Sequence, residues 1–242
     1  MALVKIQFSS KLLENQTTVR LLIPDQKIVN PLPVIWWLHG LGDNGNTWLR
    51  KTRIELFAEK YNIAIIFPDM QRSFYLNIQD GLPFYTYLTD ELYHYLYSVF
   101  PFSTDPNKNF LVGNSMGGFG AYKWAFSDPH KFSYIATMSP VTNLSVLPKI
   151  MPDYQITKSK KTLSLYNLAL SNKEILSKAH WLNLIGKSDP FVNDDQEFVN
   201  KLEKLGINLN LHISSGAHDW TFWDNQIEKI FDWLPLKEIL IR

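Results

Sequence analysis

The stretch Asn109-Phe110-Leu111-Val112-Gly113-Asn114-Ser115-Met116-Gly117 decides the fold of this 242-residue sequence. Its first four residues are mainly apolar and indicate a buried strand. The Gly-x-Ser-x-Gly pattern that follows is typical of a turn so tight that only small residues fit beside the serine. No proline occurs between this turn and Pro129, so the sequence predicts a helix that opens at Ser115. The stretch therefore predicts a strand, a nucleophile elbow and a helix in succession.

The pentapeptide alone does not establish catalysis, because glycine-rich loops between strands and helices also produce such patterns by chance. Short apolar strands and amphipathic helices alternate along the chain around it. The predicted strands are Val4–Ser9, Thr17–Ile23, Val34–Leu38, Ile63–Phe67, Asn109–Val112, Tyr134–Met138, Trp181–Ile185 and Leu209–Ile213. The predicted helices are Thr52–Tyr61, Phe84–Phe100, the helix after Ser115, Asp195–Leu205 and Phe222–Leu234. This order predicts one α/β domain over residues 1–242, with a mostly parallel central sheet and an antiparallel N-terminal edge.

The composition excludes several classes of function. Lys and Arg number 24 against 23 Asp and Glu, so no charge footprint for nucleic acid or an acidic membrane is evident. The lack of cysteine excludes disulfides, thiolate metal ligands and a cysteine nucleophile. Met1–Phe8 has neither a basic start nor a long apolar segment, and no window is long enough for a membrane span. We therefore expect a cytoplasmic protein without nucleic-acid or membrane partners.

Acyl transfer by Ser115 requires a base within hydrogen-bond reach. Of the six histidines, His218 is the preferred base, because it lies in a loop of small residues between the last predicted strand and the last helix. His39 is interpreted as a residue that positions its own loop. The remaining histidines have ordinary explanations as surface or packed residues: His94, His130, His180 and His212.

The base in turn needs a carboxylate that holds it in the correct tautomer. Asp189 is preferred, because it lies just beyond the end of a predicted strand. Asp194 and Asp195 are explained more simply as acids at the start of a helix. Asp219 adjoins the histidine in sequence and cannot easily face it. The order Ser115, Asp189, His218 is the one that α/β-hydrolases use.

A developing oxyanion needs preorganised hydrogen-bond donors. The N–H of Met116, at the start of the helix, is one candidate. The N–H of Leu41, in the loop His39-Gly40-Leu41-Gly42, is the other. The histidines and carboxylates do not cluster as metal ligands, and Gly40-x-Gly42 does not extend to a dinucleotide fingerprint, so we expect no metal and no cofactor.

Three segments together resemble the esterase D/tributyrin-esterase branch of the α/β-hydrolases. They are Trp37 to Asn44, Gly113 to Ala121 and Gly216 to Trp220, and the resemblance runs from about Leu3 to Leu234. It implies an α/β-hydrolase fold, a three-layer sandwich with a small inserted cap, for which residues 141–179 are the candidate. It also implies Ser115, Asp189 and His218 as the triad, with Leu41 and Met116 as oxyanion donors. Four aromatic residues are candidates for the substrate pocket: Phe74, Tyr75, Trp220 and Trp223.

The leading hypothesis is a serine carboxylesterase that hydrolyses short-chain acyl esters through an acyl-enzyme on Ser115. The same site would also suit an S-formylglutathione hydrolase or a feruloyl or acetyl-sugar esterase. An acyltransferase remains an alternative, because only the access of water to the acyl-enzyme separates it from a hydrolase. A non-catalytic binding protein of the same fold is a further alternative. The expected partner is a small-molecule ester, and a homo-oligomer remains open.

Overall fold

The computed structural model of the protein describes residues 1–25, 31–78, 80–151 and 164–240. In that part of the chain eight strands form one sheet. The strands are β1 (Ala2–Ser10), β2 (Asn15–Ile23), β3 (Val34–Leu38), β4 (Ala64–Pro68), β5 (Asn109–Asn114), β6 (Tyr134–Met138), β7 (His180–Gly186) and β8 (Leu209–Ser214). Each predicted strand is therefore present, with bounds that differ by one or two residues at most.

The strand order is β1-β2-β4-β3-β5-β6-β7-β8. β2 runs antiparallel to both β1 and β4, whereas the remaining neighbours are parallel. The mostly parallel sheet with an antiparallel N-terminal edge is thereby confirmed. Because the parallel strands share one direction, the loops after β3, β5, β6, β7 and β8 meet at one rim of the sheet.

Both faces of the sheet are covered. Every residue of β3, β4 and β5 is buried, as their continuous apolar sequence predicts. Trp36 and Trp37 lie next to each other on β3 and point to opposite faces. Trp36 packs on Trp124 with ring centroids 5.1 Å apart, and Trp37 packs on Trp48 at 5.1 Å. Two apolar cores, one on each face, make the three layers.

Helices supply the outer layers. Those of the described residues are α1 (Thr47–Lys51), α2 (Ile54–Lys60), α3 (Phe84–Thr86), α4 (Tyr93–Val99), α5 (Met116–Ser127), α6 (Leu147–Ile150), α7 (Leu165–Ser171), α8 (Lys173–Leu176), α9 (Val192–Glu203), α10 (Trp220–Trp233) and α11 (Leu236–Leu240). The predicted helix Phe84–Phe100 is not a regular α-helix, because a π-helical turn, Tyr87–Leu92, joins α3 to α4. None of the described helices is long and apolar enough to cross a membrane.

The segment 141–179, expected to form a cap, is described in part, because residues 152–163 lie outside the described residues. A 3-10 turn (Leu144–Val146) and the helices α6, α7 and α8 fall within it. Leu147, Leu165 and Ala169 are buried and belong to the main core. These parts therefore pack on the domain, and both the cap role and the single-domain division stay predictions.

Candidate active site

The turn between β5 and α5 holds Ser115 in a backbone conformation that few side chains adopt, with φ 53° and ψ −116°. The flanking glycines make this turn sterically possible. A Cβ on Gly113 would lie 2.1 Å from the Gly117 carbonyl oxygen, and one on Gly117 would lie 2.2 Å from the Leu38 carbonyl oxygen. Any larger residue would therefore collide with backbone, and the predicted elbow has a direct steric cause.

The structure brings Ser115, His218 and Asp189 into one hydrogen-bonded line. His218 Nε2 lies 2.9 Å from Ser115 Oγ, and His218 Nδ1 lies 2.9 Å from Asp189 Oδ2. The three residues follow β5, β8 and β7, so the rim of the sheet collects them from distant parts of the chain. The Asp189 side chain has no exposed surface, whereas 23% of the His218 side chain remains accessible. The histidine in the middle of the line is therefore reached by solvent, and the carboxylate end is closed.

Asp189 remains ionised despite its enclosure. Burial acts to raise the pKa of its carboxyl group, but hydrogen bonds from His218, from the Phe191 N–H and from Ser139 outweigh it and lower the pKa. The neighbouring Asp219 plays a different part, because its carboxylate accepts a hydrogen bond from the Phe222 N–H and caps α10. The expectation that Asp219 does not orient the histidine agrees with this geometry.

The two expected oxyanion donors lie on the elbow and on the loop that packs against it. Met116 opens α5, so its N–H has no acceptor within the helix. Leu41 lies in the loop after β3. This loop lies against the elbow, because a Cβ on Gly40 would be 3.5 Å from Ser115 Cβ. The loop of Leu41 and the elbow of Met116 therefore adjoin each other at Ser115, and the two N–H groups stay candidates for the oxyanion hole.

His39 holds the shape of that loop. Its Nε2 accepts a hydrogen bond from the Met70 N–H at 2.9 Å, so Nδ1 carries the proton and donates to the Gly40 carbonyl at 2.8 Å. Burial lowers the pKa of His39, and the neutral ring is the form that this pair of hydrogen bonds requires. The Tyr75 hydroxyl donates to the His39 carbonyl at 2.9 Å. The interpretation of His39 as a loop-positioning residue fits these contacts.

The four aromatic residues expected at the pocket divide into two pairs. Trp223 packs edge-on against His218 with ring centroids 5.1 Å apart, and Trp220 packs on Trp223 at 5.1 Å and stays partly exposed. Phe74 and Tyr75, in contrast, have no exposed surface. Phe74 packs on Phe119 at 5.8 Å, so both side chains of this pair anchor their loop in the core instead of lining a pocket.

Several residues that the sequence did not single out support the site. Phe191 packs edge-on against His218 at 5.2 Å, on the loop that carries Asp189. Ser139 Oγ accepts a hydrogen bond from Trp223 Nε1 at 3.1 Å. Ser139 follows β6 directly and so obeys the same strand-end rule that identified Asp189. The position of Ser139 at a strand end was therefore a sequence signal that could have identified it.

A second buried acid, Asp195, lies behind Asp189 on α9. Its two carboxylate oxygens accept hydrogen bonds from Asn183 Nδ2, both at 2.8 Å. Burial raises the pKa of Asp195 to about 7, the Asn183 hydrogen bond opposes the shift, and the charge of Asp189 adds to it. The interpretation of Asp195 as a first-turn acid is right in position, but its burial was not foreseen.

Comparison with known proteins extends this picture. A family model described as "Putative esterase" matches residues 10–234 of the chain. An acetyl esterase from Caldicellulosiruptor saccharolyticus is 27% identical and is aligned over 97% of this chain and 98% of its own length.

Two solved structures from Staphylococcus aureus are similar to the chain, and each is aligned over 96% of this chain and 98% of its own length. One is the fluorophosphonate-binding serine hydrolase FphF, with a TM-score of 0.86 and 26% identity. The other is the S-formylglutathione hydrolase FrmB, with a TM-score of 0.83 and 26% identity. The chain therefore belongs to this esterase family of the α/β-hydrolase fold and is a serine carboxylic ester hydrolase.

Proposed function

We propose that the protein hydrolyses short-chain acyl esters with Ser115 as nucleophile, His218 as general base and acid, and Asp189 as the residue that orients His218. The observation that carries this proposal is the hydrogen-bonded line from Ser115 Oγ through both ring nitrogens of His218 to Asp189 Oδ2, with both distances 2.9 Å. A serine hydroxyl becomes an effective nucleophile only when a base removes its proton as it attacks.

The reaction begins when Ser115 Oγ attacks the ester carbonyl carbon and its proton moves to His218 Nε2. The carbonyl oxygen becomes an oxyanion, which the N–H groups of Leu41 and Met116 stabilise. The carbon–oxygen bond to the leaving group then breaks, and His218 returns the proton to the departing alkoxide. A water molecule, deprotonated by His218, attacks the acyl-enzyme and releases the carboxylic acid together with Ser115.

Asp189 has two tasks in this cycle. It fixes the proton of neutral His218 on Nδ1, which leaves the Nε2 lone pair pointing at Ser115 Oγ. It also stabilises the imidazolium that forms when Ser115 transfers its proton. The lowered pKa of Asp189 supports both tasks, because the carboxylate stays ionised throughout the neutral pH range.

The aromatic residues around His218 support the proposal that the substrate carries a small acyl or alcohol group. Phe191 and Trp223 contact the histidine ring from two directions, and Trp220 extends this wall outward. An acetyl esterase among the relatives supports a short acyl chain. The S-formylglutathione hydrolase among the similar structures supports a second candidate, the hydrolysis of a short thioester by the same residues. A homo-oligomer and a cytoplasmic location stay predictions.

The direct experiment uses p-nitrophenyl acetate and butyrate with wild type, Ser115→Ala and a control. Ser98→Ala removes an equivalent hydroxyl from an exposed position on α4, so it matches the chemical change away from the site. We expect hydrolysis by wild type and by the control, and loss of activity in Ser115→Ala. Equal rates for Ser115→Ala and wild type would refute the assignment of the nucleophile.

The substrate class follows from a parallel series. Esters from acetate to dodecanoate measure the acyl preference, and S-formylglutathione measures the thioester alternative. A highest kcat/KM for acetate or butyrate supports the proposal. A decisive preference for S-formylglutathione would assign the site to the thioester alternative.

A further inference from the structure

Asp43 places a carboxylate beside Gly40, the glycine that also adjoins Ser115 and Asn114. The position that a Cβ on Gly40 would occupy lies 3.1 Å from Asp43 Oδ2 and 3.5 Å from Ser115 Cβ, so the acid and the serine flank the same glycine. The Asp43 N–H donates to the Gly40 carbonyl at 3.3 Å, which closes a tight turn and brings the side chain back over the loop. The mechanism described above has no part for this carboxylate.

The surroundings of Asp43 decide its charge. The side chain is partly exposed, and its partial burial raises the pKa of the carboxyl group to about 6, against the opposing effects of Lys51 and the Gly40 backbone. Asp43 is therefore ionised at neutral pH and becomes neutral in mildly acidic solution. Among the described residues, the ionisable groups that interact with Asp43 are Lys51, which opposes the rise of its pKa, and Tyr75, whose pKa is raised by burial and to a smaller extent by Asp43.

The positive charge of Lys51 does not cancel the negative charge of the Asp43 carboxylate. The lysine is exposed, and its Nζ lies 5.1 Å from the centroid of the Trp220 ring. A solvated ammonium group on a flexible stem screens a nearby carboxylate only partly. The net shift of the Asp43 pKa is upward, which shows that burial outweighs the attraction of Lys51.

The position of His218 indicates which part of a substrate would meet Asp43. His218 must reach the leaving-group oxygen to protonate it, so the leaving group lies on the His218 side of the scissile bond. Trp223 packs on His218, Trp220 packs on Trp223, and Lys51 lies over Trp220. This continuous wall connects the histidine to Lys51, whose charge acts on Asp43.

We propose that Asp43 is a specificity-determining residue that disfavours esters of anionic alcohols and favours esters whose alcohol is neutral or cationic and carries a hydrogen-bond donor. The inference rests on the proposed function, because it needs ester hydrolysis at Ser115. A carboxylate repels a second anion held nearby and accepts hydrogen bonds from hydroxyl or ammonium groups. For two partly solvated charges separated by several ångströms we expect about a tenfold effect on kcat/KM.

The test uses a matched pair of substrates, 4-acetoxybenzoate and its methyl ester, which differ in the charge of the leaving group. The ratio of their kcat/KM values is measured between about pH 5.5 and 8, where 4-acetoxybenzoate stays ionised. Both esters use the same nucleophile and the same base, so any change that affects both esters equally cancels in the ratio. The preference for the methyl ester should rise about tenfold as the pH increases through about 6, where Asp43 ionises.

Two variants test whether Asp43 causes that rise. Asp43→Asn keeps the shape of the side chain and should give a ratio that is low and independent of pH. Lys51→Met removes the cation that lowers the Asp43 pKa, so the midpoint of the rise should move to higher pH. A merely structural role for Asp43 would not move this midpoint.

The outcomes separate this inference from the proposed function. A pH-independent ratio in wild type, or an equal rise in Asp43→Asn, would overturn the selectivity of Asp43 while leaving the esterase intact. If Ser115→Ala still removes the acetyl group from methyl 4-acetoxybenzoate, the proposed function would instead be overturned.

Discussion

Replacement of Asp195 by asparagine should stabilise the protein above neutral pH. Asp195 is fully buried, and burial raises the pKa of its carboxyl group from 3.8 to about 7. Between these two values the native state holds a proton that the unfolded state has released, so the free energy of unfolding declines as the pH rises through this window. The asparagine side chain does not titrate, so it removes this decline in the free energy of unfolding.

The size of the effect follows from the shift. A pKa difference of about 3 units corresponds to about 4 kcal/mol at 1.36 kcal/mol per unit, which is an upper bound because buried sites relax when they ionise. We expect Asp195→Asn to be more stable than wild type by about 2 to 4 kcal/mol at pH 8 and to lose most of this advantage at pH 4.

The assay is urea unfolding of wild type and variant at several pH values between 4 and 8. Asp194→Asn removes an acid from the same helical turn at a partly exposed position, so it controls for the interaction of these acids with the helix dipole. A stability difference for Asp195→Asn that is the same at pH 4 and pH 8, or no larger than that of the control, would refute the reasoning.

Three further substitutions test the supports of the site. Asp189→Asn should reduce kcat for p-nitrophenyl acetate by about 10⁴-fold, because an amide no longer fixes the His218 proton on Nδ1; a loss below tenfold would contradict this role. Tyr75→Phe leaves the His39 carbonyl without its buried donor, so urea unfolding should show a loss of about 1 to 3 kcal/mol, and unchanged stability would count against that hydrogen bond. Gly120→Ala would place a Cβ 2.4 Å from the Tyr75 ring and should cost about 1 to 3 kcal/mol, whereas wild-type stability would mean that the ring moves aside.

The fold and the meeting of the three central side chains were predictable from local patterns. Continuous apolar runs identified the buried strands, and parallel strands place the residues after them on one rim. Ser115, Asp189 and His218 each follow such a strand, and the structure places them in hydrogen-bond contact. Their catalytic roles remain part of the proposed function.

Other features depend on contacts between segments that are distant in sequence. Phe74 and Tyr75 lie in a loop of polar and turn residues, which resembles an exposed pocket wall, yet packing against Phe119 and hydrogen bonding to His39 bury them. The charge state of Asp195 on α9 depends on full enclosure by the core and on a neighbour from a different element, Asn183 on β7. Neither feature leaves a periodic signal in the sequence.

Peptide mapping after reaction with a fluorophosphonate tests most directly whether Ser115 is the nucleophile. The reagent forms a stable bond with a serine only where a base activates the hydroxyl group. We predict one covalent adduct, on the peptide that contains Ser115, with concurrent loss of esterase activity and no adduct in His218→Ala. Esterase activity that survives complete modification of Ser115, or an adduct on a different serine that accompanies inactivation, would contradict the account.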